Sequence, residues 1–285
     1  MNYNGYKRVW NGVIARHEEA VLGALRSQME DFAKQLEADS NAYPWELPTA
    51  ELERVLIELY RDAGVRWGRI TTMDIGAQVE GKKDALGDLL EAYIQEYLRL
   101  YLLNRSVVPI TDTSRTEILA IMQQGAEEGW GAEKIARAIR DSGITIIRAR
   151  LIARTEATRA MNSGGMIAAA AAPIATRKTW VSAQTNRTRR VPRDQFDHFH
   201  MDKKVAEFDA PFEVPSKMGG VEMLQFPGDP AGSAGNVCNC RCMCTYRGVR
   251  DANGDLMTPE QHNPKIVNNE FYKVVQGVRM QQRVS

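Results

Sequence analysis

All four cysteines of this 285-residue chain fall in one short stretch, N-V-C-N-C-R-C-M-C, at Cys238, Cys240, Cys242 and Cys244. Two of its four histidines, His198 and His200, stand close together upstream in H-F-H-M-D. Thiol and imidazole donors are the ligands that zinc takes, four of them in tetrahedral array at about 2.3 Å for sulfur and about 2.0 Å for nitrogen. Alternate residues of a strand lie about 6.6 Å apart on one face, so four thiols in a straight strand would span roughly 20 Å. One ion could then gather at most an adjacent pair of cysteines, where the backbone bends. The candidate structural zinc set is Cys240 and Cys242 with His198 and His200. Three other uses of the same residues stay open: reduced thiols packed as small hydrophobes beside a hydrogen-bonded His198, a redox or disulfide role, and a nucleophilic thiol activated by Arg241 or a histidine.

Other metal chemistries fit less well. H-x-H-x-D resembles the motif of metallo-β-lactamase-like hydrolases, but Lys203 follows where that motif continues with histidine. A zincin is excluded because no H-E-x-x-H is present.

The second chemical feature is basic. Between Arg177 and Lys204 eight Lys and Arg oppose three Asp, a local charge of +5 in a chain whose overall charge is +1. With the arginines of the preceding segment, this gives a candidate contact set for nucleic acid or an acidic partner: Arg148, Arg150, Arg154, Arg177, Lys178, Arg187, Arg189, Arg190 and Arg193. Clustered guanidinium groups hold phosphates without reading sequence, and salt weakens such binding steeply.

The elements that must position these groups are mostly helical. Val13, Ile14, Val21, Leu25, Met29, Phe32 and Leu36 recur at helical spacing from about Asn11 to Asp39. After the prolines of S-N-A-Y-P-W-E-L-P, Thr49 can cap a second helix through Leu52, Leu56 and Leu59, and a third spans about Ala85 to Leu103. N-R-S-V-V-P-I-T-D-T (Asn104 to Thr113) reads as a break, and S-R-T-E from Ser114 as a capping box. Gly125, Gly129 and Gly131 punctuate two short helices, and an arginine-rich helix follows from about Thr145 to Ala172. From about Ala175 short β-like runs appear, T-W-V, F-E-V and the cysteine stretch itself. A turn-rich linker and a weakly amphipathic helix carrying Phe271, Val274 and Val278 close the chain. The fold class expected is α+β, predominantly α. Its segments are a helical region 1–110, a helical part 111–175, a small α+β module 176–246, and a linker with a short helix at 247–285. No run reaches the about 20 apolar residues of a membrane-spanning helix, and the N-terminus lacks a signal-peptide core, so folding in a reducing cytoplasm is expected.

Three segments, in order, carry a family likeness: I-A-R-T-E-A-T-R-A-M-N-S-G (Ile152 to Gly164), K-T-W-V-S-A-Q-T-N-R-T-R (Lys178 to Arg189) followed by a histidine, and N-C-R-C (Asn239 to Cys242). With the helical block upstream, T-S-R-T-E-I-L-A-I-M onward, the chain from about Asp112 to Tyr246 resembles the phage Mu F-like minor head proteins of tailed bacteriophages and prophages. It departs from the family pattern in three places. Asn186 stands where an acid is common, R-V-P-R-D-Q-F-D lengthens the gap before His198, and Lys203 replaces a glycine. Only Cys240 and Cys242 match the family's cysteine pair.

The resemblance implies a structural minor head protein rather than an enzyme, with the portal protein or the major capsid protein as partner. It also implies a place in the virion head near the portal vertex and a role in head morphogenesis and in genome packaging or ejection; the basic set would then make non-specific contact with packaged double-stranded DNA. The N-terminal helices are then the expected docking surface. The alternative is a metal-dependent enzyme, a nuclease or toxin-like effector, using His198, Asp202, Cys240 and Cys242.

Overall fold

In the computed structural model, residues 3–77, 92–96, 98, 102–142, 146–269 and 272–273 are described. Helix dominates at 58% of the described residues, and one small sheet and a hairpin lie in the C-terminal part. The fold is therefore α+β and predominantly α.

Helix α1 (Tyr3–Ala38) starts earlier than its apolar series suggests, because Tyr6 and Trp10 extend the buried stripe by two turns. Helix α2 (Ala50–Tyr60) follows the prolines as expected. Thr49 holds the N-cap position, yet its hydroxyl donates to the Glu53 carboxylate at 2.8 Å instead of accepting a backbone N–H. Through a π-helical turn, Arg61–Val65, the chain runs on without a break into α3 (Arg66–Gly76). The helix expected over Ala85 to Leu103 lies largely outside the described residues, and of it Tyr93, Ile94 and Leu98 are buried.

The break expected at Asn104 to Thr113 is instead helical. A π-turn (Leu103–Val107) leads straight into α4 (Val108–Glu127). Pro109 sits in the first turn of α4, directly after the π-turn, and the Arg105 carbonyl that its missing N–H leaves free accepts from Arg159 at 3.2 Å. Ser114 is consequently inside the helix and buried, where it accepts from Arg148 at 3.1 Å instead of capping. After Gly129, at φ +68°, α5 (Ala132–Arg140) begins at Gly131.

Helix α6 (Ile146–Ala170) is the axis of the molecule, packed against α1, α2, α3, the π-turn and the sheet. Its approach to the π-turn is so close that a Cβ at Gly164 would fall 2.2 Å from the Gly64 carbonyl oxygen. Backbone meets backbone there, and only glycine fits.

The sheet is three-stranded and antiparallel in the order β2 (Val205–Glu207), β1 (Thr176–Val181), β5 (Met243–Gly248), with Trp180 opposite Cys244. Strands β3 (Phe212–Pro215) and β4 (Val221–Leu224) form a separate hairpin. The cysteine stretch is not the continuous strand that alternation suggested. Ala234–Val237 is a helical turn, α7, and residues 238–242 are irregular, with Asn239 at φ +55°; the strand begins only at Met243. A last short helix, α8 (Pro259–His262), carries a full capping box from Thr258. The helix expected around Phe271 to Val278 lies outside the described residues except at 272 and 273. Buried side chains from all four expected segments, Tyr6 to Tyr272, belong to one core. Among the described residues no helix is long and apolar enough to cross a membrane.

Candidate metal centre

One face of α6 carries Thr155, Thr158 and Asn162, spaced at three and four residues, and that face grips the cysteine segment. Thr155 accepts from the Asn239 backbone N–H at 2.9 Å. Thr158 donates to the Cys240 carbonyl at 2.7 Å while accepting from the Trp10 indole at 3.0 Å. Asn162 donates to the carbonyls of Pro227 (2.9 Å) and Cys242 (3.2 Å) and accepts from the Cys244 N–H at 2.8 Å. Beside this face lies a buried polar knot. Tyr60 and Ser106 both donate to Glu156 at 2.8 Å, and Arg159 donates to Ser106 at 2.7 Å and to the Gly228 carbonyl at 3.1 Å. Every charge in the knot is paired and hydrogen-bonded, the condition under which buried charges are tolerated.

From the other side, the β1–β2 loop delivers His198. The Arg189 carbonyl accepts from the N–H groups of His198 and Phe199, and the Arg189 guanidinium donates to the Cys238 carbonyl. Trp180 packs edge-on against the His198 ring, with centroids 5.5 Å apart. His198 Nε2 faces the Asn236 side-chain oxygen at 3.0 Å, a contact that the Nε2–H tautomer satisfies and that leaves the Nδ1 lone pair facing inward.

Nδ1 meets the two thiols. It lies 3.5 Å from Cys240 Sγ and 3.8 Å from Cys242 Sγ; all three side chains are buried and their donor atoms lie within 4.8 Å of one another. Tetrahedral zinc with bonds of about 2.0 Å to nitrogen and about 2.3 Å to sulfur places N and S about 3.5 Å apart. The spacing fits a metal ion, and Asn236 supplies the outer hydrogen bond that metal-ligating histidines use. The left-handed turn at Asn239 supplies the bend that lets both thiols face one point.

His200, the fourth candidate ligand, does not join them. Its side chain is 67% exposed and Nδ1 pairs with Asp197 at 2.7 Å. Asp202 is also elsewhere, accepting from the Ser182 N–H at 2.9 Å. Cys244 is buried in β5 opposite Trp180, and Cys238 is half-buried outside the group. Among the described residues no fourth His, Cys, Asp or Glu reaches the three donors. A cavity of about 10 Å³, the room for one water, adjoins them and is lined also by Ala183, Arg187, Thr188, Asn239 and Arg241. The two thiols in contact differ in acidity. Cys242 is pulled below the ordinary thiol range by the Cys240 hydrogen bond and by His198, and Cys240 is pushed up by its contact with Cys242 and by burial.

The basic set divides. Lys178 is fully buried, its ammonium donating to Gln225 at 2.5 Å, so it cannot serve as a surface contact; burial lowers its pKa to about 8. Arg148 is bound to Glu117, Arg150 to Glu18, Arg177 to Glu207, and Arg193 to Asp194 and to the carbonyls of Asn186 and Thr188. Arg189 is held by Cys238, and Arg190 stacks over the Phe199 ring at 4.9 Å. Arg154 and Arg187 have no ion pair among the described residues, and Arg241 joins them. Burial and then the charges of Arg154 and Arg187 depress the basicity of Arg241.

Sequence reasoning did not single out Asn162, Thr158, Thr155 and Asn236. For the first three a signal existed, polar residues at helical spacing in an alanine-rich helix. Asn236 had none.

Residues 116–245 match the family model described as Phage Mu protein F like protein. That segment is similar to the phage Mu F-like proteins. The Mu F-like segment begins within α4 and ends within β5, so it contains the whole α6 face, the His198 loop and the cysteine segment. Over a longer stretch, the chain is 26% identical over 243 residues to the minor head protein GP7 of Bacillus phage SPP1, an alignment covering 83% of this chain and 72% of that protein. No solved structure matches the chain.

Proposed function

We propose that the protein is a minor head component of a tailed phage, resident in the virion head and assembled in the host cytoplasm. The observation that carries this reading is the similarity to a minor head protein along most of the chain, continuing well beyond the Mu F-like segment. On this reading it works near the portal vertex in head morphogenesis and in genome packaging or ejection, binding the portal protein or the major capsid protein. Arg154, Arg187 and Arg190 are its groups for non-specific contact with packaged DNA. The His198–Cys240–Cys242 centre is a zinc stitch that ties the β1–β2 loop to the segment held by α6. Mass spectrometry of purified procapsids and mature particles tests the assignment: a few copies per particle are expected, and absence from both overturns it.

The three-donor set, with no fourth protein ligand among the described residues, favours one second reading, a metal-dependent nuclease built on the same residues, because catalytic zinc sites keep three protein ligands and a water. Plasmid incubated with the protein and Mg²⁺, Mn²⁺ or Zn²⁺ decides it. Cleavage lost in His198→Ala establishes the activity, and uncut plasmid under all three ions removes it.

A further inference from the structure

Arg154 on α6, Arg187 in the β1–β2 loop and Arg241 in the cysteine segment come from three separate parts of the chain and converge on one place. Thr155, next to Arg154, accepts from Asn239, so the helix lies against the strand of chain that carries Arg241. Arg187 and Arg241 line the same small cavity beside His198, Cys240 and Cys242. The three charges are close enough to repel one another, and Arg154 also feels Arg150.

Among the described residues the opposing charges are weaker than this repulsion: Glu18, already bound to Arg150, attracts Arg154, and Tyr3 and Cys240 attract Arg241. Every neighbouring arginine has its own partner: Arg150 has Glu18, Arg193 has Asp194, and Arg189 has the Cys238 carbonyl. Among the described residues Arg154, Arg187 and Arg241 have neither an ion pair nor a side-chain hydrogen bond, and the Nε of Arg154 is buried without an acceptor.. A buried guanidinium donor without an acceptor is costly, and such groups are rare unless something else satisfies them. A divalent ion held there by two thiolates would be neutral and would not balance them either.

We propose that Arg154, Arg187 and Arg241 form a binding site for one oxyanion of the phosphate class, seated at the rim of the His198–Cys240–Cys242 cavity. Planar guanidinium forks suit the tetrahedral oxygens of phosphate. The cavity has room for about one water, so no base or sugar enters it, and recognition is of a single charged group. The anion would bridge α6, the loop and the cysteine segment, the same three parts that the metal centre and the Thr155–Thr158–Asn162 face join.

The test uses the full chain and inorganic phosphate. Thermal unfolding is followed as phosphate replaces chloride at constant ionic strength, with zinc content measured in the same samples. The expected result is a saturable rise in midpoint, with apparent affinity falling about tenfold or more in Arg187→Gln and in Arg241→Gln, the usual loss for a charged hydrogen bond. Arg54→Gln, on the exposed face of α2, leaves the rise unchanged, and zinc content stays constant throughout. A short DNA duplex then separates the sources. Duplex binding that competes with phosphate and is lost in the same two variants makes the anion a nucleic-acid phosphodiester, whether or not free phosphate alone shifts the midpoint. A phosphate response that the duplex leaves untouched makes it a free oxyanion. A phosphate response or duplex binding that survives both substitutions overturns the proposal, as does the absence of both responses in the unaltered chain.

Discussion

Asn162 concentrates the mechanical argument in one side chain. Its amide makes four hydrogen bonds in a fully buried position, three of them to the segments that flank the metal centre. Replacing it with alanine leaves the Cys244 N–H and the carbonyls of Pro227 and Cys242 without that partner. A buried group left unsatisfied costs about 1–3 kcal/mol. Two to three such groups give a loss of about 4 kcal/mol, or roughly 10 °C in Tm for a chain of this size. Asn162→Asp is the sharper variant. It keeps an acceptor for the Cys244 N–H but turns a carboxylate oxygen on the carbonyls of Thr158, Pro227 and Cys242, so it is expected to be at least as damaging as alanine. The assay is thermal and urea unfolding of both variants with chelator titration of bound zinc, whose affinity falls with the loosened Cys242. If both variants stay within about 1 kcal/mol of the parent, the α6 face does not hold the cysteine segment and the reasoning fails.

Three further outcomes follow from the same geometry. Gly164→Ala drives a methyl to 2.2 Å from the Gly64 carbonyl oxygen, so α6 and the π-turn must separate; a loss of at least about 3 kcal/mol is expected by urea unfolding, while Gly129→Ser, at an open turn, leaves the α6 contact intact. Lys178 has its folded pKa lowered by burial from the ordinary 10.5 to about 8, so its burial penalty is full below pH 8 and vanishes as pH rises through 10.5. Lys178→Met is therefore expected to be more stable than the parent at pH 7 by up to about 3 kcal/mol, and a gap that fails to shrink between pH 8 and 10.5 refutes this. Asn236→Ala removes the acceptor that orients His198, and competition with a zinc chelator is expected to register a loss of about 10- to 100-fold in metal affinity with the fold retained.

The helical frame was legible because α1 and α2 bury one face at regular spacing, and period is a local property. Pro109 misled because proline breaks a helix in its interior but suits its first turn, and the residues around it do not say which. The cysteine segment misled for a related reason. Residues alternating every second position imitate a strand, while the bend at Asn239 depends on bonds from Thr155 and Thr158, 84 and 82 positions from their partners. His198, Cys240 and Cys242 could be named from residue type alone. His200 could not be ruled out, because Asp197 takes it through a turn three residues long that the sequence does not announce. The division of the arginines was illegible for the same reason: Glu18 and Glu117, which neutralise Arg150 and Arg148, come from distant helices.

The central claim is that His198, Cys240 and Cys242 close on a metal ion. Elemental analysis of protein purified without chelator tests it most directly. About one zinc per chain is predicted, retained in His200→Ala and lost in His198→Ala and in Cys240→Ser. Protein that carries no zinc, takes up none when it is supplied, and keeps its stability in Cys240→Ser would contradict the account and leave Cys240 and Cys242 as packed thiols.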